Sequence, residues 1–399
     1  MKCEWKTVKL GDIAEFNKYT YSVKDEWKFV HYLDTGNITE NKIEAIQYID
    51  LIKESLPSRA KRKVKNGNII YSTVRPNQLH YGYIKEQPNN FLVSTGFAVI
   101  IINEEFANSK FIYYFLTQNN ITDYLHSIAE QSVSAYPSIK SSDLADVEIN
   151  LPDLETQKKI AKILSSLDDK IECNNQINKN LEEQVNALFS TMFGYFIDNL
   201  NNSSVKLGEI IESIDNRGKT PPLSDIPTEY PIIDVKALSG KSRIINYDNC
   251  TKYVTQETYN QWFRNGHPQE YDILISTVGS LAEVKLFLGN IGCIAQNVVG
   301  FRSKNISPLY LYQYLKYIKN DLVSYNIGSV QPSIKVTHIM QHPIYIAPMN
   351  EMSIFDEFAR YATKFIYDNC REIGTLTKIR NVLLPKLMSG EFDVSEVEI

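Results

Sequence analysis

The sequence predicts an α+β protein: two pseudo-symmetric, mixed α/β domains joined by two long helices that form an antiparallel coiled coil. Three observations lead to this fold class. A long heptad pattern occupies the middle of the chain, a second copy lies at its C-terminal end, and strand-like blocks recur in the same order before each helix. We therefore predict a domain at residues 1–152, a helix at 153–198, a second domain at 199–348, and a second helix with a tail at 349–399.

The first helix is predicted from apolar residues spaced alternately four and three apart between Ile160 and Tyr195. This spacing places them along one seam of a helix that pairs with another helix. Asn174 and Asn178 are the polar seam residues, and buried amides at such positions select one register at some cost in stability. Gly194 is expected to close the helix.

The second helix repeats the seam of the first, with Asn369 as the counterpart of Asn174. Pairing about a pseudo-two-fold axis is expected to bring these two amides together in the middle of the coiled coil. Pro385 is expected to kink or interrupt the last turns, because proline removes a backbone hydrogen bond. The predicted seam residues are Leu164, Leu167, Ile171, Asn174, Leu181 and Val185 in the first helix and Asn369, Ile373, Leu376 and Leu383 in the second.

The two domains contain matching blocks in the same order, which indicates duplication of one large unit. The matches are residues 8–13 with 205–210, strands at 68–74 with 272–278, strands at 92–102 with 291–301, aromatic helices at 111–125 with 309–323, and Pro-Ser-Ile-Lys at 137–140 with 332–335. The polar run at residues 199–204 is predicted to be the hinge between the halves.

Composition limits the function classes. The net charge of −5 and pI near 5.8 argue against a protein whose whole surface is basic, so any anion-binding surface must be local or shared with a partner. The cysteines are odd in number and include no Cys-x-x-Cys pair, which indicates a reducing cytoplasm and no structural zinc. No signal-peptide pattern or membrane-length apolar run is found, so we expect a soluble cytoplasmic protein. The cysteines are Cys3, Cys173, Cys250, Cys293 and Cys370.

The sequences that flank the helices resemble those of a known family. The first helix begins within LPDLETQKKIA at residues 151–161, and the second ends within LLPKLMSGEF at residues 383–392. Together with the order domain, helix, domain, helix, these motifs resemble the specificity subunit of Type I restriction-modification enzymes over the whole chain. Residues 349–353 depart from the Glu-x-Gln pattern that is usual at the start of the helix.

The resemblance implies a DNA-binding subunit of a host-defence complex. Each domain would be a target-recognition domain that reads one half of a split double-stranded DNA sequence, and the helices would set the spacer and dock methyltransferase subunits. The resemblance also implies ATP-driven restriction/translocase subunits as further partners in the same complex. The resemblance implies no catalytic site and no cofactor in this chain, with S-adenosylmethionine, ATP and Mg²⁺ bound by the partner subunits.

Candidate DNA contacts are of two kinds. Basic residues are expected to lie on phosphates, whereas Arg, Asn and Gln in turns can make bidentate contacts with guanine or adenine. Each turn residue is also compatible with an ordinary loop, and the basic run is also compatible with an ordinary solvated face. The candidates are Arg59, Lys61, Arg62, Lys63 and Lys65 of a basic run; Arg75, Asn77, Gln78 and Tyr81 after the first repeated strand; Gln131 and Tyr136 before the first Pro-Ser-Ile-Lys; and Arg217, Lys219, Ser280, Lys285, Ser329 and Gln331 in the second domain.

Two alternative functions are also compatible with the sequence. One is a coiled-coil structural adaptor without DNA readout. The other is a Mg²⁺-dependent nuclease, because Asp272, Glu283 and Lys285 have the acid, acid-x-lysine arrangement of many nucleases. The chain contains no Gly-x-x-x-x-Gly-Lys loop, no Asn-Pro-Pro-Tyr and no His-Glu-x-x-His, so triphosphate use and methyl transfer are expected from partners.

Overall fold

The computed structural model describes residues 5–132, 136–200, 205–289, 291–395 and 397. Cys3 and residues 201–204 of the predicted hinge lie outside this range. The chain forms two compact units. The first unit comprises Met1–Lys170 and Leu376–Ile399, and the second unit comprises Ile171–Thr375. Each unit therefore contains parts of both long helices. Within the described part of the chain, no helix combines the length and apolarity needed to cross a bilayer.

The domain of the first unit contains two four-stranded sheets. One sheet has the order β2-β11-β8-β9, and the other has the order β6-β3-β10-β7 with β3 and β10 parallel. The elements are β1 Lys6–Lys9, α1 Leu10–Ile13, β2 Ala14–Phe16, β3 Phe29–Leu33, β4 Ile38–Thr39, β5 Lys42–Ile43, β6 Gln47–Asp50, β7 Ala60–Lys63, β8 Ile69–Ser72, β9 Tyr81–Tyr83, β10 Phe91–Ser94, β11 Phe97–Ile102, α2 Ser109–Leu116, α3 Asn119–Glu130, α4 Ser141–Ala145 and β12 Glu148–Leu151.

Strand β11 lies in the centre of this domain and is buried on both faces. Ala98 and Ile100 pack in the core that includes α2, whereas Phe97 and Val99 pack on the other face with residues of β10. Burial on both faces explains why β11 is a continuous apolar run rather than an alternating one. The sequence predicts one strand over residues 92–102, whereas the structure divides this segment into β10 and β11 at a turn.

The first long helix is α5, Leu154–Phe189, which continues through a π-helical turn at Ser190–Gly194 into α6, Tyr195–Asp198. The prediction that Gly194 closes the helix is wrong, because its φ of −54° is helical. A Cβ added at Gly194 would lie 2.9 Å from the Tyr317 hydroxyl oxygen. Close packing, not termination, therefore explains this glycine.

The domain of the second unit repeats one sheet of the first. Its order, β13-β18-β16-β17, matches β2-β11-β8-β9, and Ser276 lies opposite Val298 as Ser72 lies opposite Phe97. This match confirms the predicted duplication. The elements are α7 Leu207–Ile210, β13 Ile211–Ile214, β14 Tyr230–Pro231, β15 Tyr253–Val254, α8 Gln256–Trp262, β16 Ile273–Ser276, β17 Val284–Leu286, β18 Val298–Ser303, α9 Pro308–Tyr317, α10 Lys319–Ser324 and α11 Val336–Met340.

A shared packing constraint explains the repeated Leu-Gly-acid-Ile sequence. A Cβ added at Gly11 would lie 3.1 Å from the Ala145 Cβ, and one added at Gly208 would lie 3.1 Å from the Met340 Cβ. In each domain the glycine therefore lets a short helix approach the helix that follows Pro-Ser-Ile-Lys. The predicted aromatic helices are each divided in two, into α2 and α3 and into α9 and α10.

The second long helix, α12, spans Met349–Met388 and runs antiparallel to α5. In the first unit, Arg380 Nη1 donates to Asp168 Oδ1 over 2.9 Å. Pro385 lies in the last turn, and the helix continues to Met388, so the predicted interruption is not found. At this position proline removes a single backbone hydrogen bond and leaves the preceding turns intact.

Polar side chains in the second unit fix the register of the helix pair. Asn369 Nδ2 donates to Asn178 Oδ1 over 2.9 Å, and Asn174 Nδ2 donates to Glu372 Oε2 over 2.7 Å. The predicted Asn174–Asn369 pair is therefore wrong, because the antiparallel register places Asn178 opposite Asn369 and Asn174 one turn away. The seam comprises buried Leu164, Ile171, Asn174, Val185 and Asn369 and half-buried Leu167, Leu181, Ile373, Leu376 and Leu383.

A buried ionic cluster attaches the second domain to both helices. Glu182 of α5 accepts hydrogen bonds from Arg243, through Nε and Nη2 at 3.0 Å each, and from Lys316 Nζ at 3.0 Å. Arg243 is 1% exposed, and its Nη1 donates to Thr363 of α12 over 2.7 Å. Burial alone would raise the pKa of Glu182, but the charges and hydrogen bonds of Arg243 and Lys316 lower it to about 2.

The first prediction concerns this cluster. Glu182→Gln should lower the free energy of unfolding at pH 7 by about 3–5 kcal/mol, because it leaves the Arg243 charge buried without its counter-ion. Since the folded pKa of Glu182 is depressed, its stabilisation is present above its ordinary value of 4.5 and is lost as pH falls towards 2. The difference between wild type and variant in urea unfolding should therefore shrink below pH 4.5.

The matched control is Glu183→Gln, since Glu183 is the exposed neighbour of Glu182 on the same helix. This control should change stability by no more than about 0.5 kcal/mol. Equal losses for the two variants at pH 7 would contradict the assignment of a stabilising buried cluster.

The second prediction concerns the amide pair. Replacing both Asn178 and Asn369 with leucine should raise the melting temperature and admit alternative associations, because an apolar seam no longer selects one register. Asn369→Leu alone should melt lower than the double variant, since it leaves the Asn178 amide oxygen buried without this donor. Thermal denaturation and light scattering after size-exclusion chromatography measure both effects. A double variant less stable than the single one, and still of one size, would contradict the register role.

Candidate nucleic-acid interface

In the first unit, two loops distant in sequence lie side by side. The turn after β8 is held to the segment before α4, because the Arg75 N–H donates to the Pro137 carbonyl and the Ile139 N–H to the Thr73 carbonyl, each over 2.9 Å. We call residues 73–79 and 131–138 the first loop pair. Residues 133–135 of the candidate loop lie outside the described part of the chain.

Arg75 is the most prominent side chain of the first loop pair. Its φ of 48° is left-handed, a conformation that is uncommon for residues other than glycine and that clusters at functional sites. The guanidinium carbon lies 5.0 Å from the ring centroid of Tyr136, itself exposed. No ion pair of Arg75 is found among the described residues. Arg75 therefore presents an uncompensated guanidinium, supported by an aromatic ring.

Asn77 and Gln78 extend the exposed polar surface of this loop pair. Both are exposed on a 3-10 turn at Pro76–Gln78, while Pro76 is buried beneath them. Gln131 is exposed on the second segment. The first loop pair therefore presents one cation and several amides to solvent.

The second unit contains the same arrangement. The Gly279 N–H donates to the Pro332 carbonyl, and the Ile334 N–H to the Thr277 carbonyl, each over 2.9 Å. We call residues 277–280 and 326–333 the second loop pair. Gly279, with φ 82°, occupies the backbone position of Arg75, so the left-handed conformation recurs without the guanidinium. The exposed residues of this pair include Ser280, Ser329, Val330 and Gln331.

Besides Arg75, four cations of the candidate list are exposed. Arg59, Lys61 and Lys65 lie on or beside β7, and Lys219 lies in a loop of the second unit. Lys65 Nζ lies 4.5 Å from the ring centroid of Tyr19. Sequence reasoning missed Tyr19, because no local pattern links it to β7, with which its segment pairs in space.

Three other basic candidates are less available than predicted. Lys63 forms an ion pair with Asp25, and Arg217 Nε and Nη2 donate to both carboxylate oxygens of Asp215 over 2.8 and 2.6 Å. Arg62 is half-buried, and burial lowers the pKa of its guanidinium. Lys63 and Arg217 are therefore paired with aspartates, and Arg62 is partly shielded from solvent. Contrary to the expectation, none of the three side chains offers a free, fully exposed charge to phosphate.

Tyr81 and Lys285 do not belong to the interface, and their prediction as DNA contacts is wrong. Tyr81 is 6% exposed and stacks on Tyr71 with ring centroids 5.8 Å apart. Lys285 is 1% exposed, and its Nζ donates to the carbonyls of Gly240, over 2.7 Å, and Ser242. Burial lowers the pKa of Lys285 to about 8. Both are strand residues whose side chains point into the core.

The structure also contradicts the nuclease alternative. Asp272 accepts two hydrogen bonds from Arg302, over 3.0 and 2.7 Å, and Glu283 forms an ion pair with Lys319 over 2.7 Å. The Lys285 ammonium donates to the backbone carbonyls of Gly240 and Ser242. Each of the three side chains therefore has a structural partner of its own, and they do not form one metal-binding group.

Comparisons with known proteins agree with this architecture. A family model described as Type I restriction modification DNA specificity domain matches residues 2–183 and 199–366. The chain is 36% identical to the Type I restriction enzyme HindI specificity subunit of Haemophilus influenzae over 197 residues, which are 48% of this chain and 41% of that subunit.

Two further relatives match nearly the whole chain. The Type I restriction enzyme MjaIX specificity subunit of Methanocaldococcus jannaschii is 25% identical over 99% of this chain and 95% of its own length. The crystal structure of a Type I restriction-modification S subunit from M. genitalium has a TM-score of 0.58 at 18% identity and covers 96% of both chains, which supports the fold. Because the family model matches most of the chain, once in each half, the chain belongs to the family of Type I restriction-modification DNA specificity subunits.

Proposed function

We propose that each domain reads one half of a bipartite double-stranded DNA target through its loop pair. The observation that carries this proposal is the recurrence of one backbone hydrogen bond, from Arg75 to Pro137 and from Gly279 to Pro332. In both units this bond fixes two loops beside each other at the end of the same repeated strand. The domains that perform the reading are residues 1–152 and 199–348.

Local charge supports DNA binding by an acidic protein. With a net charge of −5, the chain repels phosphates on average, so the exposed cations must be concentrated where DNA lies. Arg59, Lys61 and Lys65 provide such a cluster in the first domain, and Lys219 provides a cation in the second. These side chains position the domains on the backbone, whereas the loop pairs read base edges.

The helix pair is proposed to set the spacing between the half-sites and to dock methyltransferase subunits. An exposed apolar row on α12 supports docking: Ile354, Tyr361 and Phe365 are 62%, 62% and 42% exposed and recur at helical spacing. The rings of Tyr361 and Phe365 lie 5.9 Å apart. Large apolar side chains grouped in this way are typical of protein interfaces.

The chain is proposed to act in the cytoplasm as the non-catalytic subunit of a complex with methyltransferase and restriction/translocase subunits. The assembled complex would take its chemistry from those subunits, which would bind S-adenosylmethionine, ATP and Mg²⁺. The unpaired thiols of Cys173, Cys250, Cys293 and Cys370 suit a reducing compartment.

The third prediction separates specificity from affinity. Arg75→Ala in the complex with its methyltransferase subunits should relax one target position, reducing discrimination there by about 1–3 kcal/mol. Replacing Arg59, Lys61 and Lys65 together with alanine should weaken binding to all DNA and reduce the salt dependence by up to about 0.9 per lost phosphate contact. Fluorescence anisotropy with target and single-substituted duplexes at several salt concentrations measures both quantities.

Equal losses on target and non-target DNA for Arg75→Ala would remove this residue from base readout. A complex that binds target and scrambled duplexes alike would contradict the proposed function itself and would favour a structural adaptor.

A further inference from the structure

Val330 is an aliphatic side chain held outward at the second loop pair. It is 98% exposed. An exposed aliphatic residue needs no explanation in itself, because apolar atoms cover much of any protein surface. Val330, however, lies on the loop that pairs with the turn after the repeated strand of the second domain. The equivalent loop pair of the first domain presents Arg75 and Tyr136.

The loop that carries Val330 is closed by its own hydrogen bonds. Asn326 Oδ1 accepts from the backbone N–H groups of Gly328, over 3.0 Å, and Ser333, over 2.9 Å. The Ile327 N–H donates to the Ser333 carbonyl over 2.9 Å. A Cβ added at Gly328 would collide with the backbone of Gln331. The fold therefore presents Val330 on a tightly closed loop.

The two loop pairs differ in chemistry. Residues 277–280 and 326–333 include no charged side chain, whereas the first loop pair includes Arg75. The second pair therefore cannot use the bidentate arginine contact that selects guanine. It offers methyl groups from Val330, which is 98% exposed, and from Ile327, which is 54% exposed, together with an amide from Gln331 and small hydroxyls. In the major groove only thymine presents a methyl group, and aliphatic side chains recognise it by contact.

We propose that Val330 is a specificity-determining residue that contacts the 5-methyl group of a thymine in the half-site read by the second domain. This inference rests on the proposed function, because it requires the second loop pair to lie in the major groove. It identifies one position of that half-site as an A·T pair. The half-site read by the first domain, in contrast, contains the position that depends on Arg75.

The test removes the methyl group from DNA and from protein separately. The methylated adenine motif of host DNA gives the target, and each thymine of both half-sites is then replaced by deoxyuridine, one at a time. Uracil keeps the pairing with adenine and lacks only the methyl group. The wild-type complex should lose affinity about three- to fivefold at one position, the effect of one buried methyl group.

The Val330→Ala complex should bind the thymine target about as weakly as the wild-type complex binds the duplex with uracil at that position. Replacing that thymine with uracil should cause no further loss of affinity in the variant. The matched control is Val23→Ala, which shortens an exposed valine of the first domain and should keep the wild-type uracil sensitivity. The Val330-dependent and Arg75-dependent positions should lie in different half-sites.

Three results would overturn the inference: a bipartite target with no thymine in the half-site opposite the Arg75-dependent one, no loss on any uracil duplex, or an unchanged uracil loss in Val330→Ala. The proposed function is tested separately by scrambling each half-site. If scrambling either half abolishes specific binding while uracil has no effect, only the role of Val330 fails. If scrambling has no effect, the proposed function fails.

Discussion

The antiparallel pairing of α5 and α12 is the constraint on which the rest of the structure depends. Each helix enters both compact units, and each domain core is completed by residues of both helices. In the first unit, Leu164 and Leu387 belong to one buried cluster, and in the second, Val185 and Phe355 belong to another. A shift in helix register would therefore disturb both cores. The Asn178–Asn369 hydrogen bond opposes such a shift, because any other register would bury amides without these partners.

The second domain adds an ionic constraint to this apolar one. Arg243 joins the domain to α5 through Glu182 and to α12 through Thr363. An ion pair buried in this way requires its partners in one geometry, since a displaced charge would be left without solvent or counter-ion. The second loop pair therefore belongs to a domain that is attached to both helices by these buried hydrogen bonds and ion pairs in one defined geometry.

Periodicity predicted most of the fold, because helical seams and repeated blocks are local properties of a sequence. The predictions that are wrong concern features that depend on packing between distant segments. The partner of Asn369 depends on register, and Gly194 serves contact with Tyr317 instead of ending a helix. The second sheet of the first domain, β6-β3-β10-β7, has no four-stranded counterpart among the described residues of the second domain, so duplication alone could not predict it.

The sequence predicts those residues of the candidate interface whose exposure follows from their polarity and their position in loops. Arg75, Asn77 and Gln331 are polar loop residues and are exposed, as loop residues usually are. Tyr81 and Lys285 were misassigned because the register of a strand decides which side chains face the core. The absence of a guanidinium at Gly279 could be read from the sequence, but its equivalence to Arg75 required the hydrogen bonds to Pro137 and Pro332.

We propose that separate domains read the half-sites while the helix pair sets the distance between them. The most direct test inserts four residues into each long helix where the units divide, after Lys170 and after Thr375, so that pairing within each unit is kept. Four residues add about 6 Å and about 40° beyond a full turn. One base pair adds about 3.4 Å and about 35°. Sequencing of methylated adenines in host DNA should show a spacer longer by one or two base pairs between unchanged half-sites. An active complex with an unchanged spacer, or with altered half-site bases, would contradict the account.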